Sequence, residues 1–177
     1  MVDSYGGSIV AADEIATAIK EVGKPVVAVI GERATSAAYH AISPVNVIFA
    51  SEYSEIGGLD ATMSYLENVG KNKKEGLSYV ELTSGKYKEL GNPDRSISLE
   101  ERQILQAQIN ESHGLIIRDV ADNRHLSPER IKLIADSSYF NSSKAKELGL
   151  IDELGSFSDA ITWIENKVDR QAIICEQ

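Results

Sequence analysis

A serine works as a nucleophile only when its hydroxyl sits beside a proton acceptor and near donors for the charge it creates. In this chain the stretch with that potential is Ala34-Thr35-Ser36-Ala37-Ala38-Tyr39. It follows the run Val26-Val27-Ala28-Val29-Ile30 and Gly31, and precedes a short apolar segment that Pro44 stops. That order reads as strand, loop and helix start. The Ser36 hydroxyl and the free N–H groups of the helix's first turn then face one space. The same placement suits a plain helix N-cap, and the stretch by itself leaves both readings open. His40, one helical turn later, is one candidate acceptor, although no acid is placed to orient it as a triad requires. The other is a lysine whose amine burial keeps neutral. Eleven lysines give no means of choosing among them.

The elements around Ser36 indicate how it would be held. Ala11, Ile15, Ile19 and Val22 recur at helical spacing, widened by Ala12 and Ala16, so Ala11–Val22 is expected to be an amphipathic helix ended by Gly23 and Pro25. Strands are expected at Val26–Ile30, Val45–Ala50, Leu77–Leu82 and Tyr139–Phe140, with Glu55–Leu59 a glycine-bearing loop. Further helices are expected over Thr62–Lys74, from the capping box at Ser98 to about Asn123, from Ser127-Pro128, over Ser142–Leu148 up to Gly149, and over Ser158–Val168. Helices alternating with short apolar strands imply an α/β layered fold with parallel strands. Lys86 and Lys88 flank Tyr87 in a turn-rich loop and on composition alone are surface lysines. His113, near the apolar stripe of the long helix, reads as a packed histidine.

Composition narrows the function classes. The 177 residues make one domain by length, with 42% hydrophobic and 25% charged residues. A net charge of −9 disfavours nucleic acid and anionic membrane surfaces. No apolar run approaches bilayer length, so the chain itself reads as soluble. Cys175 is the single cysteine and cannot form an internal disulfide. With one Cys and three scattered His (His40, His113, His125), the sequence spacing holds no zinc motif, and no metal or cofactor is expected.

Four segments in order resemble the signal peptide peptidase A, or protease IV, family of serine–lysine peptidases, which shares the Clp protease and crotonase fold. Asp3-Ser4-Tyr5-Gly6-Gly7-Ser8 looks like the family's Ser-Pro-Gly-Gly-Ser loop, and Ala34–Tyr39 like its Ala-Ser-Gly-Gly-Tyr nucleophile segment. Ser84-Gly85-Lys86-Tyr87-Lys88 with Asn92-Pro93-Asp94-Arg95 looks like the loop carrying the base lysine. Ala135-Asp136 through Tyr139, then Ala145–Gly155, looks like the C-terminal signature. The resemblance implies Ser36 as nucleophile, Lys88 as general base, and the Gly7 and Ala37 N–H groups as oxyanion hole. Lys86 does not align with the base.

The fold thus implied is a Clp protease/crotonase-like layered α/β fold with parallel strands and flanking helices, lacking its first strands. Residues 1–168 would form the peptidase domain, N-terminally truncated relative to the family, and 169–177 a tail. The implied function is serine endopeptidase action on extended apolar peptides such as remnant signal peptides. The implied assembly is a homo-oligomer with active sites between subunits, and membrane association would come only through a segment absent here. Departures stand at Tyr5, in place of the loop proline; at Ala37 and Ala38, in place of two glycines; and at Gly58, where relatives place a serine that bonds the lysine. They support a second reading, an inactive binding or scaffold protein of the same fold. A crotonase-type acyl-CoA enzyme is a third, disfavoured because no acid pair is positioned for it.

Overall fold

The computed structural model describes residues 1–174, so Cys175 lies outside the described residues. Its contacts divide into two units, Met1–Asp60 with the chain from Leu115 onward, and Ala61–Gly114.

The first unit is built on β2 (Val27–Thr35), whose β-branched and alanine side chains are buried along most of its length. β1 (Val2–Ser4) pairs with it in parallel, Val2 opposite Ile30 and Ser4 opposite Ala34. β3 (Val47–Ala50) pairs in parallel with its first half, Val27 opposite Val47 through Ile30 opposite Ala50. β4 (Glu55–Gly57) continues in parallel beside its end, Arg33 opposite Glu55 and Thr35 opposite Gly57. The register offset is 20 residues along β3 and 22 along β4, so the two form one interrupted strand with two extra residues at the break. At that break the Ser54 hydroxyl donates to the Gly31 carbonyl. β5 (Tyr139–Asn141) joins β4 antiparallel, and β6 (Glu153–Leu154) joins β3 in parallel.

Helices cover this sheet. α1 (Ile9–Glu21) packs against α2 (Ala37–Ile42) through Ala12, Ala37 and Ala41. The helical period at α1 holds, but its inward face is the alanine one: Ala12 and Ala16 are buried while Ile15 and Val22 are about half exposed. Close approach of α2 admits only methyl-sized side chains there. α7 (Phe157–Val168) sets Ala160 and Trp163 on Val29 and Phe49. α5 (Pro128–Lys132) buries Ile131, and α6 (Ser142–Leu148) ends at Gly149 in the left-handed conformation, with Leu150 N–H on the Ala145 carbonyl.

The second unit contains α3 (Val69–Lys74) and the first part of α4 (Leu99–Arg124). The helix expected from Thr62 begins only at Val69, and Leu77–Leu82 is not a strand. An alternating segment forms a strand only with a ladder partner, and Leu77, Val80 and Leu82 stay exposed without one. Glu55–Gly57, read as loop, is strand β4, and β6 falls in what read as a turn; both are too short to show a period.

Candidate active site

Ser36 stands where β2 gives way to α2, and its backbone has φ +53° and ψ −127°. Non-glycine residues adopt such torsions only when the surroundings enforce them, at a cost of about 1–3 kcal/mol. The enforcement is visible. The Ser36 N–H donates to the Gly57 carbonyl at 2.8 Å, tying the junction to the end of β4. One residue earlier, the buried Thr35 donates its hydroxyl to the Tyr5 carbonyl at 2.9 Å. Beyond Ser36, Tyr39 is fully buried and its hydroxyl donates to the Leu150 carbonyl at 2.6 Å; burial pushes that hydroxyl's pKa up.

A capping serine would spend its side chain on a first-turn N–H. Ser36 makes no such bond, whereas Ser8 caps α1 and Ser127 caps α5 with theirs. The plain N-cap reading therefore does not describe Ser36, whose hydroxyl is uncommitted among the described residues on a half-buried residue.

The glycine loop comes to the same place. A methyl on Gly6 would lie 3.0 Å from the Ser36 Cβ and 3.1 Å from the Ala37 nitrogen, so only hydrogen fits between the two segments. Gly7 follows with open space beside it, and among the described residues its N–H meets no acceptor. Ala37 is the first residue of α2, and its N–H has no intrahelical acceptor. The loop is fixed at Tyr5 by the Thr35 bond and by Arg33, which lies 3.9 Å above the Tyr5 ring. Gly6, Gly7, Ala11, Ile15, Ala37 and Ala38 line a hollow of about 190 Å³. It is small against a cofactor pocket and has room for one aliphatic side chain.

His40 is buried on α2 and faces Asp13, with its Nε2 3.8 Å from the carboxylate. Gly58 has φ +61°, and a methyl there would lie 2.8 Å from Cε1 of Tyr139, so the tyrosine ring fills the space of a side chain at 58. Gly57 is tighter still, since a methyl would lie 2.4 Å from the Ser138 carbonyl oxygen. Gly57→Ala is expected to destabilise the chain by about 2 kcal/mol or more, because backbone and not a flexible side chain is in the way. Urea unfolding with an unchanged midpoint would refute that packing. Thr35, Gly57 and Tyr139 hold the junction but were not singled out as such from sequence, since their partners lie far off in the chain.

Lys88 belongs to the second unit, in an exposed turn where its N–H donates to the Gly85 carbonyl at 3.1 Å. Among the described residues its amine makes no ion pair or hydrogen bond. Lys86 differs. Its amine lies 2.7 Å from both carboxylate oxygens of Glu100, which also accepts from the Tyr87 hydroxyl. The Glu100 partner raises the Lys86 pKa, the wrong direction for a base at neutral pH.

The loop bearing Lys88 is anchored at its next residue. Arg95 donates to the Glu89 carbonyl at 2.8 Å and forms a two-pronged pair with Glu101 at the start of α4. Glu101 also accepts from the Ser98 N–H at 2.9 Å and so closes the expected capping box. Hydrogen bonds from Arg95 lower the Glu101 pKa from 4.5 to about 2. A carboxylate depressed in the fold contributes stability above its unfolded pKa and loses it as pH falls toward the folded value. Glu101→Gln is thus expected to lower Tm at pH 7, with the gap to the parent chain narrowing from pH 4.5 toward pH 2. A gap independent of pH would show that Glu101 acts by packing alone.

The Clp protease-like fold is shared with a ClpP1 variant from Listeria monocytogenes, at TM-score 0.59 and 18% identity over 89% of this chain and 72% of that one. The model of Peptidase family S49 matches residues 18–171, and the chain belongs to that family. A relative in Methanocaldococcus jannaschii is 34% identical over 167 residues, covering 93% of this chain and 54% of its own length. Protease 4 of Salmonella typhi is 32% identical over 169 residues, covering 90% of this chain and 26% of its own. The chain thus spans about half the length, or less, of these curated relatives. Among the described residues no helix is long and apolar enough to cross a membrane.

Proposed function

We propose that the chain acts as a serine endopeptidase in which Ser36 is the nucleophile and Lys88 the general base. The observation that carries this reading is the strained Ser36 backbone at the β2–α2 junction with its hydroxyl unspent on capping. Strain of that kind is kept where it presents a reacting atom. The neutral amine of Lys88 takes the Ser36 Oγ proton as Oγ attacks a peptide carbonyl. The Gly7 and Ala37 N–H groups hold the oxyanion that forms, and the amine returns the proton to the leaving nitrogen. Water, deprotonated by the same amine, then releases the acyl group from Ser36. Support for Lys88 over Lys86 comes from the Glu100 pair that keeps Lys86 charged.

The apolar lining of the hollow beside Ser36 favours extended peptides with an aliphatic side chain near the cleaved bond. A relative from Enterococcus faecium carries a signal peptide peptidase name, which agrees with remnant signal peptides as substrates. With one Ser36 and one Lys88 per chain, a head-to-tail ring of copies in which one copy's serine meets its neighbour's lysine completes every site.

The methyl groups of Ala37 and Ala38 beside the nucleophile, where substrate backbone must approach, favour a second reading as an inactive scaffold. A fluorophosphonate probe separates the two. Stoichiometric labelling of Ser36 that disappears in Lys88→Ala is expected; no labelling of the parent chain would leave the scaffold reading.

A further inference from the structure

We infer that Asp13, His40 and Asp119 bind a single transition-metal dication of the Zn²⁺ class. The three come from α1, α2 and α4, and one ligand atom of each lies within 4.8 Å of the other two. Sequence spacing could not show this set, because helix packing assembles it.

His40 supplies the independent observation. Its side chain is 3% exposed, yet among the described residues neither of its ring nitrogens has a hydrogen-bond partner. Its Nε2 faces Asp13 Oδ1 at 3.8 Å, too far for a hydrogen bond. A proton shared between imidazole and carboxylate would draw the pair to about 2.7–2.9 Å. Two ligands on one tetrahedral Zn²⁺, each about 2.0–2.2 Å from the ion, stand about 3.3–3.6 Å apart, within a few tenths of an ångström of the observed gap. The separations, none above 4.8 Å, close by about 1.3 Å at most, which rotation of the largely exposed Asp13 and the partly exposed Asp119 side chains supplies.

Charge points the same way. Two carboxylates converge on one buried imidazole, and Arg118, 3.5 Å from Asp119, offsets one of them. One imidazole nitrogen with two carboxylate oxygens suits Zn²⁺ or Mn²⁺ better than Mg²⁺, which prefers oxygen alone. Water completes such a shell at the exposed Asp13 side. The bound ion pins α1, α2 and α4 together one helical turn behind Ser36. This inference stands whether or not the peptidase reading does.

The test is Zn²⁺ titration of the full, tag-free chain by calorimetry, with thermal melts in parallel, on the parent, Asp13→Asn and Asp119→Asn. One Zn²⁺ per chain is expected, with at least tenfold weaker binding in each variant. Zn²⁺ should raise the parent's Tm and leave that of Asp13→Asn unchanged. Asp13 is exposed, so its variant keeps the fold, and its melt without Zn²⁺ checks this. No saturable binding, or equal affinity in all three chains, overturns the inference; the latter would place Zn²⁺ elsewhere on the molecule.

Discussion

Ser36→Ala is expected to lower peptide hydrolysis by roughly 10³-fold or more, the scale on which serine nucleophiles contribute. Ser36→Gly should be as inactive, but the two variants should part in stability. Both lack the hydroxyl, yet only alanine keeps a Cβ at φ +53° and ψ −127°. Relief of that strain by glycine, less its greater chain entropy, leaves Ser36→Gly ahead by about 1 kcal/mol. Urea or thermal unfolding of the pair measures this directly. Equal stabilities would mean that the junction relaxes once the serine is gone, and that the torsions are not imposed by the bonds to Gly57 and Tyr5.

The second large effect concerns the choice of lysine. Lys88→Ala and Lys88→Arg should each cost about as much as loss of the nucleophile, because arginine keeps the charge but cannot take a proton. Lys86→Ala should cost several-fold at most, since it breaks an exposed ion pair with Glu100. Comparable losses from both lysines would point to loop disruption and away from a base at 88. Mixing Ser36→Ala with Lys88→Ala chains addresses the assembly. Partial recovery of hydrolysis is expected if neighbouring copies share a site, and persistent inactivity would confine the dyad to one copy.

Legibility from sequence followed the range of the interactions. The helix caps at Ser127, Gly149 and Ser98 were readable because capping is settled within a few residues. The serine junction was readable as a strand over Val26–Ile30, a loop and a helix start, but β2 runs on to Thr35 with no loop before α2, because its second half pairs with the distant β4. Local pattern failed where a segment depends on distant partners. Leu77–Leu82 alternates like a strand but has no ladder, and Glu55–Gly57 is a strand only because β2 and β5 flank it. The inward turn of Ala12 and Ala16 depends on α2, which α1 does not encode. Within the site, the torsions of Ser36 had no sequence signal apart from the resemblance to a family. The alternative role as a cap was locally just as good, and only the structure shows that the hydroxyl makes no capping bond.

The break between β3 and β4 sets a count. Ser36 is held because Gly57 falls one residue behind it across the ladder, and that happens only because two residues are lodged in the interruption. Were the strand continuous, the carbonyl at 57 would arrive two residues too far along, and the serine would hang from a different atom. Chain length between Ala50 and Glu55 therefore works as a ruler for the nucleophile. The exposed side chains at 51–53 can vary so long as the number of residues does not and Ser54 keeps its hydroxyl on the Gly31 carbonyl.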